Sequence, residues 1–371
     1  MEHSDEMHWN QMNCTLNNTL NISTSEFYIS ENPPPEIILP SNITCRMYHP
    51  VTLEGEICDI IDPDVQNKIM NFIKVHDRTD TGNTTELSEE SFKRFLSMPC
   101  VIGILFDNNN IIGTMISVIL RVRYNTIDLL TSYTTFLCID MSHRNNGLAM
   151  ILIRGIMKEG YDRYGINHGY YMTANSHHKI NNEIKSWYRP INVNKAAKAN
   201  FTINTFSQKG DRSNSTRRNL GYHIPKPNII PIKVNLESYE KVIKILAKKS
   251  DNTLYLNPTF KEYKTMCKCF DIYMVGEDNL FMLFPMDTTI STSRKRVHNA
   301  QLALMIGDIL PNVLWIAKQN NYDLLYGWCG SDITVERVEG VRGLITTFKT
   351  YLEFYYTQNT IENNNMMVPI F

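Results

Sequence analysis

Residues 136–149 read FLCIDMSHRNNGLA, an apolar run that breaks at Asp140 into a polar turn and resumes after Gly147 as LAMILIRGIMKEGYDRYG. The second run places Leu148, Ile151, Leu152, Ile156 and Tyr161 at helical spacing, and Gly165 lies just beyond it as a stop signal. A strand that ends in Arg-Asn-Asn-Gly at the start of a helix has a chemical implication. The first helical turn presents unpaired N–H groups and the positive end of the helix dipole, which together suit a phosphate. Gly147 lets a ligand approach the backbone without a Cβ, and Arg144 can add a charge-assisted contact. An ordinary strand-to-helix turn would use the same six residues, so on their own they leave both readings open.

The flanking sequence supplies a sheet and more helices. Upstream, CVIGILFD, NIIGTMISVILRVRYN and TSYTTFLCID are apolar segments, the first two joined by the turn signal Asp107-Asn-Asn-Asn110. Before them, DPDVQNKIMNFIKVH spaces Val65, Ile69, Phe72 and Ile73 on one helical face, and SEESFKRFL opens on Ser88, an N-cap residue. Downstream, HGYYMTA reads as a strand, followed by a polar helix or loop up to SWYRPIN. Beyond about residue 205 the order partly repeats, with helices over LESYEKVIKILAKK and NPTFKEYKTMCKC and strands over DIYMVGE and NLFMLFPM. A long helix is then expected over NAQLALMIGDILPNVLWIAKQN, and a strand over YDLLYGW. The similar ordering points to an internal duplication.

At 371 residues the chain is too long for one small core. Its 43% hydrophobic and 20% charged residues are those of an ordinary folded protein. A net charge of −1 gives no global field for nucleic acid or an anionic membrane, so neither nucleic-acid binding nor stable membrane insertion is expected. The eight cysteines form no CxxC pair, and no histidine pair has ligand spacing, so no metal site is expected and the thiols read as reduced in a cytoplasmic setting. Sequons begin at Asn13, Asn17, Asn21 and Asn42 within an Asn/Thr-rich tract, and no secretory leader or membrane-spanning run accompanies them. Residues 1–45 form a polar arm ending in ENPPPEIILP, where consecutive prolines favour an extended path.

The turn R-N-N-G-L-A matches the R/Q-x-x-G-x-G/A pattern of GCN5-related acyltransferases, and its surroundings resemble the glycylpeptide N-myristoyltransferase family more specifically. TFLCIDMSHRNNGLAMILIRGI is similar to the family's FLCVHKKLRSKRLAPVLI-type segment, SWYRPIN to YWHRSLN, and FYISENPPP to the FWDTQPVP arm. FMLFPMDTTI is similar to FYTLPSTI, and NVLWIAKQNNYDLLYGW to the AKxKGFDVFNALD region. These matches are collinear over nearly the whole chain.

The resemblance implies an α+β fold of two fused GCN5-related acyltransferase-like halves that share one pseudo-twofold, saddle-shaped sheet surrounded by helices. The implied division is an arm over residues 1–45, an acyl-CoA half over 46–205 and a peptide half over 206–371. The implied reaction is transfer of myristate from myristoyl-CoA, a co-substrate with no prosthetic group, to the N-terminal glycine of a protein by a monomeric enzyme. Carried over, the backbone N–H groups of Phe136 and Leu137 form an oxyanion hole, their side chains being expected in the core. Thr173 holds the glycine amine, and the α-carboxylate of Phe371 is the base. Phe27, Tyr28, Cys138, Ile139, Arg144, Asn145, Asn146, Gly147, Leu148 and Ala149 contact acyl-CoA, and Asp77, Asp80, Trp187 and Tyr188 face the peptide.

Several positions depart from the family. Thr135 replaces an Asn, Ser186 and Tyr188 replace a Tyr and a His, Asn175 replaces a Gly, and no GDGNL loop is present. Two alternatives therefore stand beside the main reading: another CoA-dependent N-acyltransferase, and a catalytically silent acyl-CoA- or peptide-binding relative.

Overall fold

Near-continuous apolar runs such as 100–107 and 111–122 demand cover on both faces of a sheet. The computed structural model provides that cover, and it describes residues 19–20, 29–30, 39–59, 61–76, 85–166, 168–173, 183–198, 224–248, 253–290, 295–329, 332–333, 345–355 and 366–367. Strand Ile43–Tyr48 (β1), helix Pro63–His76 (α1), strand Thr85–Leu87 (β2) and helix Glu89–Phe95 (α2) come first. Strands Cys100–Asp107 (β3), Asn110–Tyr124 (β4) and Ile127–Ile139 (β5) lead into helix Leu148–Tyr164 (α3) and strand Gly169–Thr173 (β6). Strand Glu183–Pro190 (β7) and helix Val193–Lys198 (α4) complete the first half.

The second half contains strand Ile232–Lys233 (β8), helix Tyr239–Leu246 (α5), strand Leu254–Leu256 (β9) and helix Phe260–Cys269 (α6). It continues through strands Asp271–Val275 (β10), Asn279–Ile290 (β11) and Lys295–Ile306 (β12), helix Leu310–Gln319 (α7) and strand Leu324–Trp328 (β13). Strands Ile345–Tyr355 (β14) and Met366–Met367 (β15) follow. The sequence expectation of one helix over 299–320 is corrected here. Residues 295–306 are a strand, buried from Asn299 to Ile306, and the helix begins only after Gly307, whose φ of 91° breaks the run.

With that strand in place the duplication is complete in topology. Strands β3, β4 and β5 are antiparallel neighbours, α3 crosses over, and β6 lies parallel to β5. Strands β10, β11 and β12 repeat the arrangement, with α7 leading to β13 parallel to β12. The halves then exchange their last strands: β7 pairs with β13, and β14 pairs with β6, while β7 and β14 pair with each other. The main path of the 15-stranded sheet runs β8-β10-β11-β12-β13-β7-β14-β6-β5-β4-β9-β15, with the pseudo-twofold axis between β7 and β14.

Helix α3 covers one face of the first half, its Leu152 and Ile156 sharing a core with Leu105 and Met115 of the sheet. It sits close because Gly103 and Gly113 leave room: a Cβ would stand 3.1 Å from Ile156 at the first and 3.2 Å from Leu152 at the second. The opposite face carries α1, α2, α5 and α6 over a core that includes Phe92, Phe95, Phe270 and Phe284. Helix α6 starts with a full capping box between Thr259 and Glu262, and Glu262 also accepts from Arg121 Nε at 3.1 Å, which ties the second half to β4. The described cysteines, Cys138 among them, are free thiols.

Candidate active site

The pairing of β4 with β5 is interrupted where the opening stretch begins. Thr114 faces Cys138 and Ile116 faces Thr135, so Met115 alone stands opposite both Phe136 and Leu137. This is a β-bulge, which takes a residue out of the ladder and re-aims the groups around it. Phe136 takes the strain, with φ at 53°, a conformation that costs a residue with a Cβ about 1–2 kcal/mol. Its ring is held edge-on by Phe95 at 5.4 Å and by Phe92 at 6.5 Å, both from α2. Leu137 was expected in the core and is instead 41% exposed, because the extra residue reverses the in-out alternation of the strand.

At the same level β5 and β6 part. Their parallel pairing ends at Thr134 opposite Tyr171, although β5 continues to Ile139 and β6 to Thr173, which pairs with Tyr351 on its other side. A cleft therefore opens between the carboxyl ends of two parallel strands, with the bulge of Phe136 and Leu137 on one wall. The crevice outside the carboxyl ends of parallel strands is where open α/β sheets place ligands.

The turn that follows is built to accept an anion. Asp140 caps the 3-10 turn Met141–His143 by accepting from the Ser142 N–H and Oγ, each at 2.7 Å, and these two bonds hold its carboxyl below the usual range. Arg144 is extended, Asn145 is left-handed with φ at 66°, and Gly147 is left-handed with φ at 73° as the N-cap of α3. Alternating backbone hand of this kind points successive N–H groups into one concavity. Among the described residues no side chain caps α3, and none stands within 4 Å of a Cβ built on Gly147. Arg144 Nε donates to the Ile139 carbonyl at 3.1 Å and Nη2 to the His76 carbonyl at 3.4 Å. The guanidinium is thus fixed beside the turn and joins the end of β5 to the end of α1. Sequence reasoning missed His76, since nothing in residues 62–76 signals proximity to a turn 68 residues later.

The second half builds its turn differently. The register of β11 against β12 also shifts, between Met282 and Leu283, leaving Ala303 as the extra residue. The turn after β12 is tied down by the chain itself: Gly307 N–H donates to Asp332 Oδ2 at 2.6 Å, and a Cβ on Gly307 would collide with Asn279. The Asp332 carboxylate thus holds the turn between β12 and α7, two residues before the α7 N-cap Ile309, and among the described residues no side chain caps α7 itself.

The other expected residues fall in three groups. Arg144, Asn145, Asn146, Gly147, Leu148 and Ala149 lie together at the turn, which starts seven residues after Leu137, with Cys138 and Ile139 on the strand between. Trp187 is 1% exposed, with its indole against Gly327 in the core around α7; Tyr188 is half-buried beside Val297 and Leu324, and burial pushes its phenol up. Phe27, Tyr28, Asp77, Asp80 and Phe371 lie outside the described residues, and for Thr173 the description extends to the backbone. Among the described residues no group of three or more His, Cys, Asp or Glu is placed to hold a metal, and no helix is long and apolar enough to cross a membrane.

A bulged third strand that parts from a parallel fourth strand across a helix, present here twice in one chain, is the GCN5-related acyltransferase-like fold. Its likeness among solved structures is to N-myristoyltransferase from Saccharomyces cerevisiae. One such structure, with bound myristoyl-CoA, is 14% identical with a TM-score of 0.70 over 92% of each chain. Another, with myristoyl-CoA and inhibitors, is 12% identical with a TM-score of 0.72 over 98% of this chain and 97% of that one. No protein-family model and no curated protein sequence matches the chain. At this identity the likeness is one of fold.

Proposed function

We propose that the chain is a divergent N-myristoyltransferase that transfers myristate from myristoyl-CoA to the N-terminal glycine amine of protein substrates. The observation that carries this reading is the pairing of a bulge at Phe136 and Leu137 with a left-handed Gly147 N-cap that no described side chain caps. The pyrophosphate of CoA sits on the turn, and the thioester carbonyl lies against the bulge. The glycine amine attacks that carbonyl, and the oxyanion of the tetrahedral intermediate accepts from the N–H groups of Phe136 and Leu137. Fixed donors of this kind contribute about 2.7–4 kcal/mol each. Collapse of the intermediate forms the amide and releases CoA as its thiol.

The attacking amine must first lose a proton, and the α-carboxylate of Phe371 is the base. An α-carboxyl near 3.5 facing an α-ammonium near 7.8 leaves a gap of roughly 6 kcal/mol, and removing both from water narrows it from both sides. Strand β15 supports this assignment by its direction. It runs parallel to β9, which is antiparallel to β4, so β15 heads toward the bulged end of β4. Peptide specificity belongs to the second half and to Asp77 and Asp80.

The test is a C-terminal extension. A few residues appended after Phe371 are expected to abolish transfer while leaving the thermal shift with myristoyl-CoA intact; unchanged transfer would remove the carboxylate from the mechanism. A thermal shift with myristoyl-CoA but no acylated product from the native chain would instead favour a silent binder.

A further inference from the structure

Ten large apolar side chains stand exposed among the described residues, and five of them, Ile229, Ile230, Ile232, Leu236 and Phe260, belong to one corner of the second half. The corner is the rim of the sheet, where β8 is the terminal strand of the main path. Ile229 lies against the start of α7, its carbonyl accepting from Asn312 Nδ2 at 2.7 Å. The chain then rounds the sheet edge at Ile232 and enters the 3-10 turn Leu236–Ser238, which leads into α5. Tyr239 at the start of α5 holds Phe260 edge-on at 5.4 Å, which joins the α6 N-terminus to the same corner.

Basic side chains outnumber acidic ones around these apolar residues, the exposed acidic ones being Glu237 beside Leu236 and Glu240 at the start of α5. Lys241 and Lys244 stand on the outer face of α5, opposite the buried Val242, Ile245 and Leu246. Lys261, Lys264 and Lys268 form the outer face of α6, opposite Tyr263, Met266 and Cys269. The one acidic residue of α6, Glu262, is buried against Arg121 and offers no charge to the outside. Prolines at 225, 227 and 231 precede β8, and a strand edge guarded by residues without an N–H does not invite pairing with another strand. Nucleic acid would use the lysines but has no need of four aliphatic side chains and a phenyl ring in water.

We propose that this corner is a peripheral membrane-docking surface, with Ile230, Ile232, Leu236 and Phe260 entering the headgroup region of an anionic leaflet. The lysines of α5 and α6 lay their stems along the apolar side chains and meet lipid phosphates and carboxylates. The observations behind it are independent of the acyl-transfer reading, and so is its test.

The test is sedimentation of the full chain with phosphatidylcholine vesicles, with and without phosphatidylserine. Binding is expected to be at least about tenfold tighter when phosphatidylserine is present, and to weaken as salt is raised. Ile232→Glu combined with Phe260→Glu, and separately Lys241→Glu combined with Lys244→Glu, should each lower vesicle binding by about tenfold or more. Ile230→Ser is a milder variant that keeps the test valid if a double variant melts early. Ile57→Glu, at an exposed isoleucine in the first half, should leave binding unchanged. The proposal is overturned by equal binding to both kinds of vesicle, or by binding insensitive to all the corner variants. It is equally overturned by a dimer that Ile232→Glu dissociates without any vesicle binding, or by RNA binding in place of vesicle binding.

Discussion

The Phe136 ring stands edge-on to Phe95, with centroids 5.4 Å apart and planes at 87°, while the Phe136 backbone is held at φ 53°. The contact explains how a bulky residue keeps a left-handed conformation in the middle of a strand. Burying the ring among α2 side chains offsets the local strain, and the strain in turn fixes the bulge. Phe95→Ala is therefore expected to lose about 3–5 kcal/mol in urea unfolding. Phe95→Leu should lose only about 1–2 kcal/mol, yet lower kcat for acyl transfer by about tenfold with acyl-CoA affinity retained. A Phe95→Leu enzyme with full kcat would separate the ring contact from the chemistry.

Gly147 is required for its φ of 73° and not for space, since a Cβ there meets none of the described residues. Gly147→Ala should cost about 1–2 kcal/mol of stability and weaken acyl-CoA binding by calorimetry, while kcat at saturating acyl-CoA changes little. A loss confined to kcat would place the turn away from the CoA pyrophosphate.

Asp332 accepts the Gly307 N–H at 2.6 Å in the second half. Asp332→Ala should cost about 1–3 kcal/mol in thermal unfolding through the unsatisfied donor, and leave acyl-CoA affinity unchanged. Coupled loss of affinity would mean that the two turns are not functionally distinct.

His168, just before β6, is buried, and burial pushes its imidazole down to about 4. The unfolded value is near 6.5, so the unfolded chain binds the extra proton first as the medium becomes acidic. The contribution of the neutral imidazole is complete above pH 6.5 and is lost as pH falls toward 4, up to about 3 kcal/mol. His49, lowered by burial against the opposing pull of Glu159 at 2.8 Å, adds a loss of the same sign. His168→Gln should flatten the melting temperature between pH 6.5 and 4 relative to the native chain, and an unchanged slope would remove His168 from the acid response.

Much of this arrangement is legible in the sequence, and the exceptions have physical causes. Ile69, Phe72 and Ile73 on α1, Ser88 before α2, and the capping sequence of α3 are local signals, and the elements form where those signals lie. Residues 299–306 read as helix because an unbroken apolar run has no period of its own, and only pairing with β11 and β13 makes it a strand. The turn at Arg144–Gly147 is visible because glycine is needed there. The bulge has no such mark, because it is written in the packing of Phe136 against residues 41 and 44 positions earlier. The Asp332 contact is equally silent, since it depends on a carboxylate 25 residues beyond the turn it holds.

The central claim is acyl transfer at the Phe136–Leu137 bulge, and the most direct measurement is mass spectrometry of peptides incubated with the chain and myristoyl-CoA. A panel of Gly-starting peptides, with Ala-starting partners as controls, is expected to give products carrying one myristoyl group on the glycine amine, and none on the controls. Absence of acylated glycine across the panel, from protein whose melting temperature rises with myristoyl-CoA, would contradict the account.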